Sequence, residues 1–315
     1  MADLQVVGLG VATLDVLLRV RQMPTWSAGV PLGGFCLAGG GLVATAIAAA
    51  ARLGARAGYL GTAGNDEAAK IKIRSLADDG VDLSRLVIRN EPENQVVVVY
   101  VDEQNGERVF CGLHSIGEKP LAPGELDRDY ITSADYLHLD GFHYEAALQA
   151  ARWMREAGKT VMLDAGATCG TVGAATRKLL EYVDVLICGS GFAPGLTGKS
   201  DRFDAGRAAL DAGPSVVVQT EGADGSFTTT ADDQFHTPAF KVDIIDTTGA
   251  GDVFHGAYIV GLLHGWNLRI VAQFASAVAA LKCTRLGGRA GIPRFPEVIA
   301  FLGERGVTMP KGVIC

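Results

Sequence analysis

At 315 residues, with 48% hydrophobic, 20% charged and 7% aromatic side chains, the chain has a globular composition and room for one large α/β domain with an appendage. Its net charge of −7 offers no basic footprint for nucleic acid or an anionic membrane surface. No apolar run approaches the roughly 18–20 residues that span a bilayer, and the start at Met1 lacks a secretory pattern, so a cytoplasmic location is expected. The cysteines, at Cys36, Cys111, Cys169, Cys188, Cys283 and Cys315, form no C-x-x-C pair. That argues for free thiols in a reducing compartment and against a structural zinc.

In chain order, Leu4–Gly10 reads as a short buried strand and Ala44–Leu53 as an alanine-rich helix stopped by Gly54. Arg56–Gly61 is then a strand and Asp66–Asp79 a helix closed by Gly80. The alternation resumes with strand Tyr136–Leu139, helix Tyr144–Ala157, strand Thr160–Asp164 and helix Thr176–Tyr182. It continues through strand Val185–Cys188, helix Arg202–Ala212 and strand Ser215–Thr220. Apolar strands separated by helices predict a mostly parallel sheet covered on both faces, a three-layer α/β fold. Two stretches break the rhythm. Gln95–Val101 and Arg108–Cys111 flank an Asn105-Gly106 turn as a hairpin, and Asp15–Arg21 and Val30–Cys36 read as extended. These predict one domain over residues 1–315, carrying a small β lid built from about 11–38 and 94–114.

The sharpest chemical signal is Asp246-Thr247-Thr248-Gly249-Ala250-Gly251-Asp252, between an extended Phe240–Ile245 run and a helical stretch. Small residues at a helix start let backbone N–H groups converge on an anion, aided by the helix dipole. A carboxylate in the first turn, Asp252, can take the proton of a hydroxyl that attacks a phosphoryl group. Without its flanks the same string would read as a capping aspartate after a glycine turn. Thr220-Glu221-Gly222-Ala223-Asp224-Gly225 forms a second glycine turn at a strand's carboxyl end, where ligands of open α/β sheets bind. Gly39-Gly40-Gly41 opens the alanine-rich helix, and Asp15, just after the first strand, suits sugar hydroxyls. His114, His138, His143 and His255 fit packing or hydrogen-bonding roles as well as ligand contact. Gly8-Leu9-Gly10 does not make a dinucleotide fingerprint, since Thr13 stands at the third glycine and residues 29–35 supply no acid.

These segments, with Gly64-x-Asp66, Gly80-Val81-Asp82, Gly106-x-Arg108 and Leu196-Thr197-Gly198 in order, resemble the ribokinase/PfkB carbohydrate kinase family over nearly the whole chain. The tail, from Pro238–Asp243 through His255 to Ala279–Pro293, and Gly39–Ala46 are similar to its 6-deoxy-6-sulfofructose kinase branch. The resemblance implies a ribokinase-like fold and transfer of the ATP γ-phosphate to a hydroxyl of a small, ketose-like sugar, with Mg²⁺. It implies Asp252 as base and Gly249, Ala250 and Gly251 as the anion hole. Sugar contacts would come from Asp15, Gly40, Gly41, Thr45 and Arg108. ATP would lie over Thr220, Gly222, Gly225, Thr248, Ser276, Ala280 and Cys283. A homodimer through the lid is implied, and the family pattern leaves room for a K⁺ ion near Asp246, Thr248 and the 284–291 loop.

The chain departs from that pattern in places. Thr13, Leu42 and Thr45 stand where relatives commonly carry Asn, so sugar contacts differ there. Residues 188–194 lack the usual Asn and Glu, so no protein ligand to a metal is assigned. Lys and Arg are absent from 22–51, and 94–113 offers only Arg108, which weighs against a sulfonate substrate. A nucleoside kinase and a non-catalytic sugar- or nucleotide-binding regulator are the alternative readings.

Overall fold

The computed structural model describes residues 4–167 and 170–310, so Cys169, Cys315 and the side chain of His114 lie outside what is described. The main sheet comprises β1 (Val6–Leu9), β4 (Ala57–Leu60), β9 (Tyr136–Leu139), β10 (Thr160–Asp164), β11 (Val185–Gly189), β12 (Val216–Thr220), β13 (Ser226–Thr229) and β14 (Gln234–Thr237). Its order is β14-β13-β12-β11-β10-β9-β1-β4, parallel except for β13 and β14, which join antiparallel at one edge. The inner strands are buried on successive residues because helices cover both faces.

One face carries α1 (Leu42–Arg52), α8 (Ala250–Leu263), α9 (Leu268–Lys282) and α10 (Phe295–Gly303), packed around Tyr59, Tyr258 and Phe274. The opposite face packs α4 (Tyr144–Glu156), α5 (Ala174–Leu180), α6 (Phe192–Thr197) and α7 (Arg202–Leu210) over Leu137, Leu163 and Leu186, with the short α3 (Arg128–Thr132) beside α4. Helix α2 (Glu67–Ala77) and a two-stranded pair, β5 (Thr62–Ala63) with β6 (Val87–Ile88), complete the fold.

A second sheet, ordered β3-β2-β7-β8, is made by β2 (Thr13–Val20), β3 (Gly34–Gly40), β7 (Val96–Asp102) and β8 (Arg108–Gly112). Because facing residues share a side of the pleat, its register sorts the side chains. The rows Ala38–Asp15–Val97–Gly112, Cys36–Leu17–Val99–Phe110 and Gly34–Arg19–Val101–Arg108 face inward. The inward core of Leu17, Val97, Val99 and Val101 packs against Leu286.

Several elements differ from the sequence reading. The third lid strand runs over 34–40, not 30–36, so Gly39 and Gly40 pair within the sheet instead of forming a free loop. Residues 240–245, expected as extended, belong to no strand; they lie between β14 and α8 and bond irregularly, Ile245 N–H to the Cys283 carbonyl. Edge strands β13 and β14 and helices α9 and α10 had no prediction; the polar Thr- and Asp-rich text around 226–237 hides an edge strand well.

Helices α1 and α8 meet through small residues. Ala44, Ala46, Ala48, Ala49 and Ala50 are fully buried, and a Cβ built at Gly256 would lie 2.1 Å from the Ala46 carbonyl oxygen and 2.9 Å from the Ala49 Cβ. A backbone carbonyl inside a helix cannot swing away, so any side chain at 256 pushes the helices apart. Gly256→Ala therefore gains the helix propensity of about 1 kcal/mol but suffers overpacking of about 1–3 kcal/mol, and more for Gly256→Val. A thermal melt should show the valine variant several degrees below wild type. An unchanged midpoint would mean that the helices do not meet at this glycine.

Candidate active site

The glycine string opens α8 as expected. Gly249 is the N-cap with φ 73°, a left-handed conformation suited to glycine, and a Cβ there would meet the Gly288 carbonyl oxygen at 3.0 Å. Ala250 donates its N–H to the Thr247 carbonyl at 3.2 Å, so it is already engaged. Gly249 and the exposed Gly251 are the better-placed amides at the helix mouth. Asp252 follows in the first turn, partly accessible.

What holds this loop is a buried carboxylate. Asp246 accepts the Thr248 N–H on Oδ1 at 2.8 Å and the Gly287 N–H on Oδ2 at 2.7 Å. Its backbone carbonyl accepts from the Lys282 ammonium at 2.9 Å, which also lies 4.0 Å from the carboxylate; both side chains are fully buried. The Asp246 and Ile245 N–H groups donate to the Cys283 carbonyl. The loop is thus tied to the end of α9 and to the 284–291 segment.

The lid is latched onto the same loop. Thr247 donates its hydroxyl to the Gly106 carbonyl at 2.9 Å and accepts from Arg108 Nη1 at 3.1 Å, and its N–H reaches Gly106 at 3.3 Å.

Beneath the second sheet, Asp15 is buried and accepts from the Thr13 hydroxyl at 2.5 Å; burial pushes its carboxyl upward, opposed by that hydroxyl and by Arg289. A Cβ at Gly40 would lie 2.1 Å from Asp15 Oδ2, so only glycine lets the strand pass over this carboxylate. Arg289 is buried and spends its donors on neutral oxygens: Nε to Thr45 Oγ1 at 3.3 Å, Nη1 to Ser75 Oγ at 2.9 Å and Nη2 to the Gly40 carbonyl at 2.7 Å. Burial lowers it to about 10, and Asp15 is the first charge that opposes this. Asp252 is raised well above the ordinary carboxylate range, first by burial, then by the charges of Asp164 and Asp15, while Arg108 and Arg289 pull it down. These charged groups therefore converge on one place.

The structure sorts the predicted residues. Asp15, Gly40, Gly41, Arg108, Thr248 and the 249–252 string lie together around the lid and the mouth of α8. Thr45 does not open to a ligand: it is buried on α1 and held by Arg289. Thr220 ends β12, with its hydroxyl donated to the Cys188 carbonyl at 3.2 Å, and Gly222 (φ 56°) and Gly225 (φ 87°) make the following turn. Ser276 and Ala280 on α9 and Cys283 at its cap are buried, so these side chains present little surface to a ligand. Sequence reasoning missed Arg289, Lys282, Asp164 and Asp140. Asp140 ends β9, accepts the Val11 and Phe142 N–H groups at 2.8 Å each, and burial raises it to about 6. Only the charge of each residue was visible beforehand; their partners are up to 249 positions away.

The family model for pfkB carbohydrate kinases matches residues 31–294. The chain is 31% identical to the ATP-dependent ribose-1-phosphate kinase of Halopiger xanaduensis, over 96% of this chain and 99% of that protein. It is 30% identical to the aminoimidazole riboside kinase of Salmonella typhimurium, over 87% and 91%. Among solved structures, a candidate ribokinase from Agrobacterium tumefaciens superposes with a TM-score of 0.84 at 27% identity, covering 96% of this chain and 98% of that one.

The Arg108–Thr247 latch is half-exposed, so it is worth about 1 kcal/mol. Arg108→Ala should speed amide hydrogen exchange at the Gly106 turn about fivefold while exchange in β9 and β10 stays the same. Unchanged exchange at the turn would show that the latch does not hold the lid.

Proposed function

We infer the function from a plain premise: this chain belongs to the pfkB family of carbohydrate kinases. It is an ATP-dependent kinase with a small carbohydrate as acceptor. The finer reading is ours. Asp252 accepts the proton of the attacking sugar hydroxyl, Gly249 and Gly251 present backbone N–H groups to the transferring phosphoryl, and Asp15 orients the sugar beneath the lid. The observation that carries it is the start of α8, where Gly249 caps the helix in a left-handed conformation, Asp252 stands in the first turn, and Arg108 bonds Thr247 of the same loop.

ATP lies along the carboxyl ends of β11 and β12, over Thr220, Gly222 and Gly225, in this reading. Mg²⁺ would travel with its phosphates and neutralise them. The hard oxygens that fit its water shell are Glu221 and Ser190, whose side chains bond to each other at 2.7 Å at these strand ends. We assign no role to K⁺, because the Lys282 ammonium already gives Asp246 a fixed positive neighbour. Free thiols at Cys36, Cys111, Cys188 and Cys283 and the need for ATP suit the cytoplasm; no helix among the described residues is long and apolar enough to cross a membrane.

For the acceptor we propose a ribofuranose-type sugar, phosphorylated on a primary hydroxyl. The named substrates of the two relatives, ribose 1-phosphate and an aminoimidazole riboside, support this over a sulfofructose. A riboside is the second reading, favoured by Phe110, which faces inward on the lid edge yet is 55% exposed.

Asp252→Asn should cut kcat by about 10²–10⁴ while ATP affinity stays within about twofold; full turnover would refute the base assignment. The pH profile adds a second check on the same residue. A base works deprotonated, and Asp252 is raised, so kcat/KM should fall on acidification at a pH above the ordinary carboxylate value of about 4. A limb at or below that value would count against it.

The outer face of the lid supports a dimer. Its rows, Phe35–Leu18–Tyr100–Val109 and Leu37–Val16–Val98–Cys111, carry no charge, and Phe35, Leu37 and Val109 are exposed. A flat apolar sheet face can pair with its own copy about a two-fold axis. Light scattering should give a dimer for wild type and a monomer for Phe35→Asp combined with Leu37→Asp. A monomeric wild type would remove this proposal.

A further inference from the structure

Beneath the mouth of α8, two imidazoles with no part in the proposed phosphoryl transfer sit beside Asp164, whose charge bears on Asp252. His138 stands on β9 opposite Met162 of β10, and Asp164 follows Met162 by two residues, so both point to the same face of the sheet. That face is the one covered by α1 and α8, since a Cβ at Gly8, the other neighbour of His138, would strike Ile47 and Val43. From above, α8 contributes His255. The His255 and His138 rings lie 5.4 Å apart at a tilt of 44°, and His255 Nε2 is 3.5 Å from Asp164 Oδ2.

All three are almost completely buried, at 0%, 4% and 3% exposure for His138, Asp164 and His255. Buried polar atoms nearly always have a partner, yet neither ring nitrogen of His138 nor Nδ1 of His255 has one. Asp164 gives Oδ1 to the Gly166 N–H at 2.8 Å and keeps Oδ2 turned toward His255. Two imidazoles and one carboxyl group thus offer ligand atoms that all lie within 4.8 Å of one another.

We propose that His138, Asp164 and His255 form a binding site for a divalent transition-metal ion of the zinc type, joining β9, β10 and α8. Two imidazole nitrogens and a carboxylate oxygen are the ligand set that zinc, cobalt and nickel favour, whereas Mg²⁺ takes oxygen and keeps its waters. Bonds of about 2.0–2.1 Å in a tetrahedron put ligand atoms roughly 3.3 Å apart. The His255–Asp164 pair is nearly at that spacing, and the widest pair must close by about 1.5 Å, within the reach of side-chain rotation. Three protein ligands leave a fourth position for water. The ion is distinct from the Mg²⁺ carried by ATP, and the proposal does not depend on the kinase reading.

The test uses Co²⁺ as probe on the metal-stripped full-length protein, with Mg²⁺ in large excess to occupy oxygen sites. Wild type and the control His236→Ala, which alters an exposed histidine stacked on Phe227, should each bind about one Co²⁺ per chain in equilibrium dialysis. Each should gain a visible ligand-field spectrum and a raised melting temperature. His255→Gln and His138→Gln should bind at least tenfold more weakly. Binding by these variants equal to wild type would overturn the site, and so would absence of stoichiometric binding to wild type. Should the variants fail to fold, X-ray absorption of the wild-type complex decides: a shell of imidazole nitrogen with oxygen supports the site, and an all-oxygen or sulfur-containing shell overturns it.

Discussion

The buried carboxylate of Asp246 is the constraint on which the rest of this site depends. It has no solvent to hydrate it, so its charge is satisfied only if two backbone N–H groups and the Lys282 ammonium are where they are. One of those amides, on Thr248, fixes the anion loop; the other, on Gly287, fixes the segment that delivers Arg289 and Leu286. The carboxylate thus sets the start of α8, the floor beneath the lid and the guanidinium near Asp15 in one arrangement. Removing a partner would strand a buried charge, whereas an exposed pair such as Lys70–Glu67 could be lost at almost no cost.

A second constraint is electrostatic. Burial and the charges of Asp164 and Asp15 raise the proton affinity of Asp252, and Arg108 and Arg289 oppose them. Arg289 uses all three of its hydrogen-bonding nitrogens on neutral oxygens, so its charge remains available to the carboxylates through space. Such a site is strained by like charge before a substrate enters. In the proposed reading, a sugar hydroxyl that bonds Asp15 and gives its proton to Asp252 would relieve part of that strain, which would make the same carboxylates that cost stability useful in transfer.

The parts legible in the sequence are those whose physics is local. A left-handed glycine at 249 followed by a helix is a property of a few neighbouring residues, and so are the Gly54 and Gly80 stops and the apolar runs of β9 to β12. The Asn105-Gly106 hairpin was legible for the same reason. What could not be read is set across the chain. Nothing in the neighbourhood of Arg289 announces Gly40, and nothing near His138 announces His255. Thr45 was expected at the ligand from the family resemblance alone; its burial follows from the Ala-rich packing of α1 on α8, a tertiary fact. The 240–245 run has the β-favouring residues of a strand, but the Ile245 N–H is claimed by the Cys283 carbonyl at the end of α9, and the run is not a strand of any sheet among the described residues.

The latch between lid and loop ties these threads together. Thr247 sits between Asp246 and the glycines, and through Gly106 and Arg108 it joins the anion loop to the hairpin that carries Phe110. A ligand that reorganises the loop therefore acts on the lid through a single residue, and a sugar that moves the lid acts back on the amides at the helix mouth. Coupling of this kind is reciprocal by necessity. It needs no long pathway, because the two halves of the site already share Thr247. The rigid side of the coupling is the loop, pinned by Asp246, and the compliant side is the hairpin, whose strand β8 is exposed along its length. In the proposed reading, closure would be a motion of this hairpin toward the fixed loop, the order in which water can be excluded without disturbing Asp252.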